Sequence, residues 1–252
     1  MPTPFSHLAV AQRLLNDPAV SDDHRALLNR QRPAFLLGSI AADARVEAGT
    51  PRSATHFYHY VQEMDDIPPW RVMMAAHPSL WTPFDDAHAA FIAGYVAHLA
   101  MDEIWSRLMV APCFVGGEWG DKHLRFVMLH IILIVMDERD EKSLETWQSE
   151  ALVQGIPHEW LPFLPDPNLK NWRDLIYQQI IPNGRSQTLE IFGGRAGLTP
   201  AELRALLDSP ELMHDSLWQY VPQAYLAEVE AAIYAHCVSQ LTTYLDGPTD
   251  LP

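Results

Sequence analysis

The sequence predicts an all-α protein, a multi-helical single domain over residues 1–252. Apolar residues recur at three- and four-residue spacing from end to end, as one face of a helix requires, and the alternating β-branched runs of strands are almost absent. Residues that cap helices, followed by proline or acidic side chains, open one segment after another.

Thr3 before Pro4 opens the first helix, to about Leu15, with His7 in its first two turns. Ser21 with Asp22 and Asp23 caps a second, and Pro33 opens an apolar helix that closes near Asp43. Residues 45–60 carry Gly, Pro and Ser and read as irregular. Pro68 and Pro69 begin a helix that stops before Pro78. Asp85 and Asp86 begin a long one, which Pro112 with Gly116 and Gly117 should end. A helix from about Asp121 to Arg139 follows, then helices near 141–154, 170–181, 199–208 and 219–245. The 199–208 segment opens with the Thr199 and Glu202 capping box, and the proline-rich stretch 157–168 reads as a surface connection.

A net charge of −15 argues against a nucleic-acid partner, because the field of the chain repels a polyanion. The two cysteines, Cys113 and Cys237, form no spaced pair, so any metal site must use His, Asp and Glu. The N-terminal stretch has neither the basic region nor the apolar run of a secretory signal, and a cytoplasmic location is expected. The longest apolar run, Phe126 to Met136, is far below the ~20 residues of a membrane span.

The helix predicted around residues 91–105 is apolar in almost every direction, yet it carries His98 and Asp102 on one side, four residues apart. Glu103 and Arg107 mark its wet edge, where an i, i+4 pair is ordinary. A buried aspartate is rare unless it is paired or holds a metal. Asp102 could hold a protonated His98, both could bind backbone groups, or both could ligate a metal. Asp43 sits at a helix C-terminus, which disfavours an anion, and needs a cation nearby, with Arg45 one candidate. His7 lies near a helix N-terminus, which favours the neutral imidazole a metal requires; His56 lies in a loop; His130 interrupts an apolar run with Asp137 seven residues later on the same face.

The order His7, Asp43, His56, His98 and Asp102, with HFY at 56–58 and GYVAHLAMD at 94–102, resembles the zinc-dependent phospholipase C family, which is related to single-strand nucleases of the same helical fold. The resemblance covers roughly residues 1–140; residues 141–252 are a helical part of unknown role. It implies a fold of the phospholipase C and nuclease type and two or three zinc ions. His7, Asp43, His56, His98 and Asp102 would be the ligands, with Asp102 bridging two metals and Asp43 also a general base. Six residues after Asp102 the family has another histidine where this chain has Leu108, and then a histidine and a glutamate four apart, whereas here Val127 follows His123 and Ile134 follows His130. Rebuilding that part from His130, with His123 or Asp137, is expected.

The function this implies is a metal-dependent phosphoric ester hydrolase acting on a small phosphoester or a phospholipid-like substrate, zinc lowering the pKa of its bound water toward ~7. The alternative is a relative that binds metal without turnover, for which the missing histidine at Leu108 speaks.

Overall fold

The computed structural model describes residues 2–59 and 66–247, and these build a multi-helical, all-α structure with no strand among them. Helices α1 (Pro4–Leu14), α2 (Asp22–Arg30) and α3 (Arg32–Ala41) come first, and α3 ends in a tighter 3-10 turn, Ala42–Ala44. Single-turn helices α4 (Arg45–Ala48) and α5 (Ser53–His56) follow, then α6 (Pro69–Ala76) and the long α7 (Asp86–Ile104). Beyond them lie α8 (Lys122–Glu141), α9 (Thr146–Leu152), α10 (Asp166–Ile180), α11 (Thr188–Ala196), α12 (Pro200–Leu207), α13 (Pro210–Met213) and α14 (Gln223–Leu245). None of these helices is long and apolar enough to cross a membrane.

Capping sets most of the starts. Thr3 accepts from the Ser6 amide, Ser21 from His24, Asp85 from His88 and Asp121 from Leu124, each satisfying an amide that the first turn leaves open. Thr199 and Glu202 form the reciprocal capping box of α12.

α7 is the axis of the fold. Its residues from Ala90 to Glu103 are all buried, with α3 on one side and α14 on another. The approach of α3 rests on two glycines. A Cβ on Gly38 would fall 2.0 Å from the Phe91 carbonyl oxygen, and one on Gly94 would fall 2.3 Å from that of Phe35. Only glycine lets the two backbones meet so closely. One apolar cluster holds the first half of α7, up to Leu99, with Phe5, Leu36, Leu37 and Trp172. A second begins at Ala100 and takes in Met109, Ile131, Leu203, Leu217 and Cys237. His98 and Asp102 therefore straddle the join between two cores.

Several expectations change. Pro112 does not end the helix: α7 continues as wider π-helical turns over Trp105–Val115, and Gly116 then donates its amide to Ala111. The wider turn accommodates a residue that has no amide to give. Residues 45–59 are not wholly irregular, because α4 and α5 each close one turn there; Tyr60, the last of that stretch, lies outside the described residues. The 157–168 stretch is no mere surface connection, since Trp160, Leu161 and Leu164 are buried in the first core. Glu103 is 4% exposed rather than wet, held by Arg107 and His236 at 3.1 Å each.

Candidate metal centre

Four elements deliver five polar side chains to the join of the cores. His7 comes from the second turn of α1, Asp43 from the 3-10 turn that ends α3, His56 from the last position of α5, and His98 and Asp102 from one face of α7. All five are buried, Asp102 and His56 completely. Phe57, immediately after His56, has φ +61°, a left-handed conformation that a bulky residue adopts only when its surroundings impose it. That turn brings both His56 and Tyr58 to Asp102.

The nitrogen and oxygen atoms converge. His56 Nε2 lies 3.2 Å from Asp102 Oδ2, 3.5 Å from Asp43 Oδ1 and 3.4 Å from His98 Nε2. His98 Nε2 is 3.7 Å from Asp102 Oδ2, and His7 Nε2 is 3.6 Å from Asp102 Oδ1. Two groups of three have their ligand atoms within 4.8 Å of one another: His7, Asp43 and His98; and His56, His98 and Asp102. Donors bound to one zinc at ~2.0–2.1 Å in tetrahedral geometry stand roughly 3.3 Å apart, so the spacing fits such an ion.

Neighbouring groups orient the rings. His98 Nδ1 is 2.8 Å from the carbonyl oxygen of Ser39, which can only accept; the proton is therefore on Nδ1 and Nε2 faces the cluster. His56 Nδ1 pairs with the Thr55 hydroxyl at 3.0 Å, and Tyr95 donates to the Thr55 carbonyl at 2.7 Å. The rings of His7 and His98 stack with centroids 3.8 Å apart. Arg52 donates to Asp102 Oδ2 at 2.9 Å and to the Tyr58 hydroxyl at 2.6 Å, while Tyr58 reaches Ser106 Oγ at 2.9 Å and the Asp102 carbonyl at 3.2 Å.

The protonation states suit a cation. Burial, and next the neighbouring His98, push His7 down to about 3, and burial likewise lowers His98. Burial alone would raise the carboxyls of Asp43 and Asp102, but the hydrogen bond from His56 and the proximity of His98 together outweigh it. Arg52 adds to this at Asp102, and both carboxyls stay well below the usual range. His7 Nε2 and Asp102 Oδ1 are buried, have no hydrogen-bond partner and face each other beyond hydrogen-bond reach. Such atoms are costly to bury unless a cation lies between them, and neutral imidazoles with ionised carboxylates are the donors zinc takes.

Other candidates stand apart. His123 is exposed at the start of α8, and neither it, His130 nor Asp137 joins either group. His130 Nδ1 instead donates to the Phe126 carbonyl of its own helix, and its ring meets Phe126 and Phe192 edge-on. Asp137 accepts from the Thr188 hydroxyl. Leu108 is 38% exposed in the π-helical turns. The partner of Asp43 is His56 rather than Arg45. Sequence reasoning missed Arg52, Tyr58 and Ser39; only the basic residue four positions before HFY offered a signal.

The cluster borders a cleft of about 590 Å³ whose walls are largely apolar, among them Phe126, Leu129, Leu133 and Phe192. Asp43 and Arg52 line it as well, so it reaches the cluster, and Arg45 and Arg195 add two further cations. Four of the exposed large apolar residues, Val46, Val115, Phe126 and Ile191, line this same cleft. Comparison with protein-family models, curated proteins and solved structures finds no match, so the site itself carries the functional argument.

Proposed function

We propose that the protein is a metal-dependent phosphoric ester hydrolase for an amphiphilic phosphoester, with the charged group at the His/Asp cluster and the apolar part in the cleft. The observation that carries this reading is the convergence of His7, Asp43, His56, His98 and Asp102, from four elements, beside a largely apolar cleft that Asp43 and Arg52 line. His56, His98 and Asp102, with Asp43 and His7, would hold zinc. A zinc ion supplies Lewis acidity toward a phosphoryl oxygen and toward the attacking water.

The remaining work falls to the chain. Asp43 borders the cleft, where its carboxylate can orient the attacking water as general base. The Ser39 carbonyl keeps the His98 proton on Nδ1 and its other nitrogen toward the cluster. Arg45, Arg52 and Arg195 make the cleft locally cationic in a chain of net charge −15, which favours an anionic substrate there. The apolar walls hold the uncharged part and keep water out.

The test is the zinc content of purified protein together with hydrolysis of a short-chain phosphatidylcholine and of p-nitrophenyl phosphate. Hydrolysis lost on chelation and in His98→Ala supports the reading; protein that folds, takes up no zinc and cleaves neither ester overturns it. A second reading, metal binding without turnover, is favoured by Leu108 standing where the resemblance expects a ligand. Full zinc occupancy with no hydrolysis across a broad panel of phosphoesters would select it.

A further inference from the structure

The two histidines that approach Asp102 Oδ2 are held by different kinds of partner. His98 Nδ1 faces the Ser39 carbonyl, which can only accept, so that ring is set in one tautomer. His56 Nδ1 faces the Thr55 hydroxyl at 3.0 Å, and a hydroxyl can give a proton or take one.

The Thr55 hydroxyl has a place for its own proton in either case. It can point to His56 Nδ1, or turn to the Arg52 carbonyl at 3.3 Å. Thr55 and His56 are both fully buried, so bulk water does not reach the pair to replace the hydroxyl. Tyr95 of α7 donates to the Thr55 carbonyl at 2.7 Å, which ties this turn of chain to the helix that carries His98 and Asp102.

His56 Nε2 meets two demands that exclude each other. With a hydrogen on it, it donates to Asp102 Oδ2, 3.2 Å away, with Asp43 Oδ1 at 3.5 Å. As a metal ligand it must present its lone pair instead. A neutral imidazole carries one N–H, so a ring that serves both demands moves its hydrogen from Nε2 to Nδ1, and the partner of Nδ1 must change from donor to acceptor. A carbonyl cannot make that change; a hydroxyl can.

We infer that Thr55 is a positioning residue that lets His56 exchange tautomers. Without an ion the hydrogen is on Nε2, bonded to Asp102, and the Thr55 hydroxyl donates to Nδ1. With the ion bound the hydrogen is on Nδ1, bonded to the Thr55 oxygen, and the hydroxyl donates to the Arg52 carbonyl. The ring stays neutral and the number of protons is unchanged, while His98 keeps one tautomer throughout. The inference rests on the reading of the cluster as a zinc site.

The experiment titrates zinc alone into the whole chain labelled with nitrogen-15 in histidine. NMR reads which ring nitrogens carry hydrogen, with His56→Gln and His98→Gln assigning the signals, and calorimetry gives the zinc affinity. In wild type, His56 should carry its hydrogen on Nε2 before zinc and on Nδ1 after, with His98 on Nδ1 in both. Thr55→Val, which keeps the shape without the hydroxyl, should bind zinc at least about tenfold more weakly, and Thr55→Ser should hold it nearly as wild type does. A residue that only filled space would show no such difference between valine and serine. If the valine variant does not fold, the tautomers of wild type and of the serine variant decide. Zinc uptake with His56 in the same tautomer before and after, a His56 ring that carries both hydrogens before zinc, or unchanged affinity in the folded valine variant overturns the inference and leaves the zinc site standing. No zinc uptake by folded wild type overturns both.

Discussion

His98 and Ser39 lie on different helices, α7 and α3, yet the imidazole Nδ1 of one sits 2.8 Å from the carbonyl oxygen of the other. This bond sets the tautomer of the histidine that both ligand groups share. Ser39 is beside Gly38, whose missing side chain allows α3 to reach the backbone of α7 at Phe91. The close packing of α3 on α7 thereby positions the donor.

Gly94→Ala tests that connection. The new methyl would sit 2.3 Å from the Phe35 carbonyl oxygen and 2.7 Å from the Ser39 amide nitrogen, both backbone atoms that cannot turn aside. The helices must separate, so the variant should lose about 3 kcal/mol of stability and bind zinc at least tenfold more weakly. Denaturant unfolding with and without zinc measures both; a variant with wild-type stability would show that the close crossing is not required.

Metal removal should also show in stability. An ion that binds the folded cluster and not the unfolded chain adds about 2.7 kcal/mol at a hundredfold excess over its Kd, worth about 8 °C in a chain of this size. Zinc should raise the Tm of wild type by that order and leave His98→Ala almost unmoved. Equal shifts in both proteins would place the bound zinc elsewhere.

What the sequence made legible follows from how local each signal is. Helix starts at Thr3, Ser21, Asp85 and Thr199 come from side chains that cap amides three residues away, and they were readable. His98 and Asp102 were conspicuous because a carboxylate on an all-round apolar helix is out of place. α11 was not anticipated, since Gly193 and Gly194 lower its propensity and its formation depends on packing against α8. The burial of Glu103 depends on His236, a residue 133 positions away, which local periodicity cannot see. Arg52 reaches Asp102 across 50 positions, from a stretch whose Gly, Pro and Ser content reads as loop.

The cleft makes its own prediction about chain length. If the apolar part of the substrate lies against Phe126, Ile191 and their neighbours, each added methylene contributes about 0.8 kcal/mol, roughly fourfold in affinity, until the cleft is full. KM should fall steadily along a series of phosphoesters with lengthening acyl chains, and Phe126→Ser with Ile191→Ser should flatten that trend while leaving p-nitrophenyl phosphate hydrolysis unchanged. A KM that does not depend on chain length would separate the cleft from the substrate.

Asp137 gives the last prediction, in pH. It is 1% exposed, and burial raises its pKa from 3.8 to about 7 despite the hydroxyls of Thr188 and Thr3. Between pH 4 and 7 the folded state therefore keeps a proton that the unfolded chain has released. Stability from this group is present below pH 4, falls as pH rises through that window, and levels off above 7, by an order of about 4 kcal/mol in all. Asp137→Asn holds the neutral form at every pH, so its unfolding free energy should lose this downward slope. The difference in unfolding free energy, variant minus wild type, should then rise between pH 5 and pH 8, with the variant the more stable of the two at pH 8. Parallel pH profiles for the two proteins would show that Asp137 is ionised in the fold, with a cation beside it.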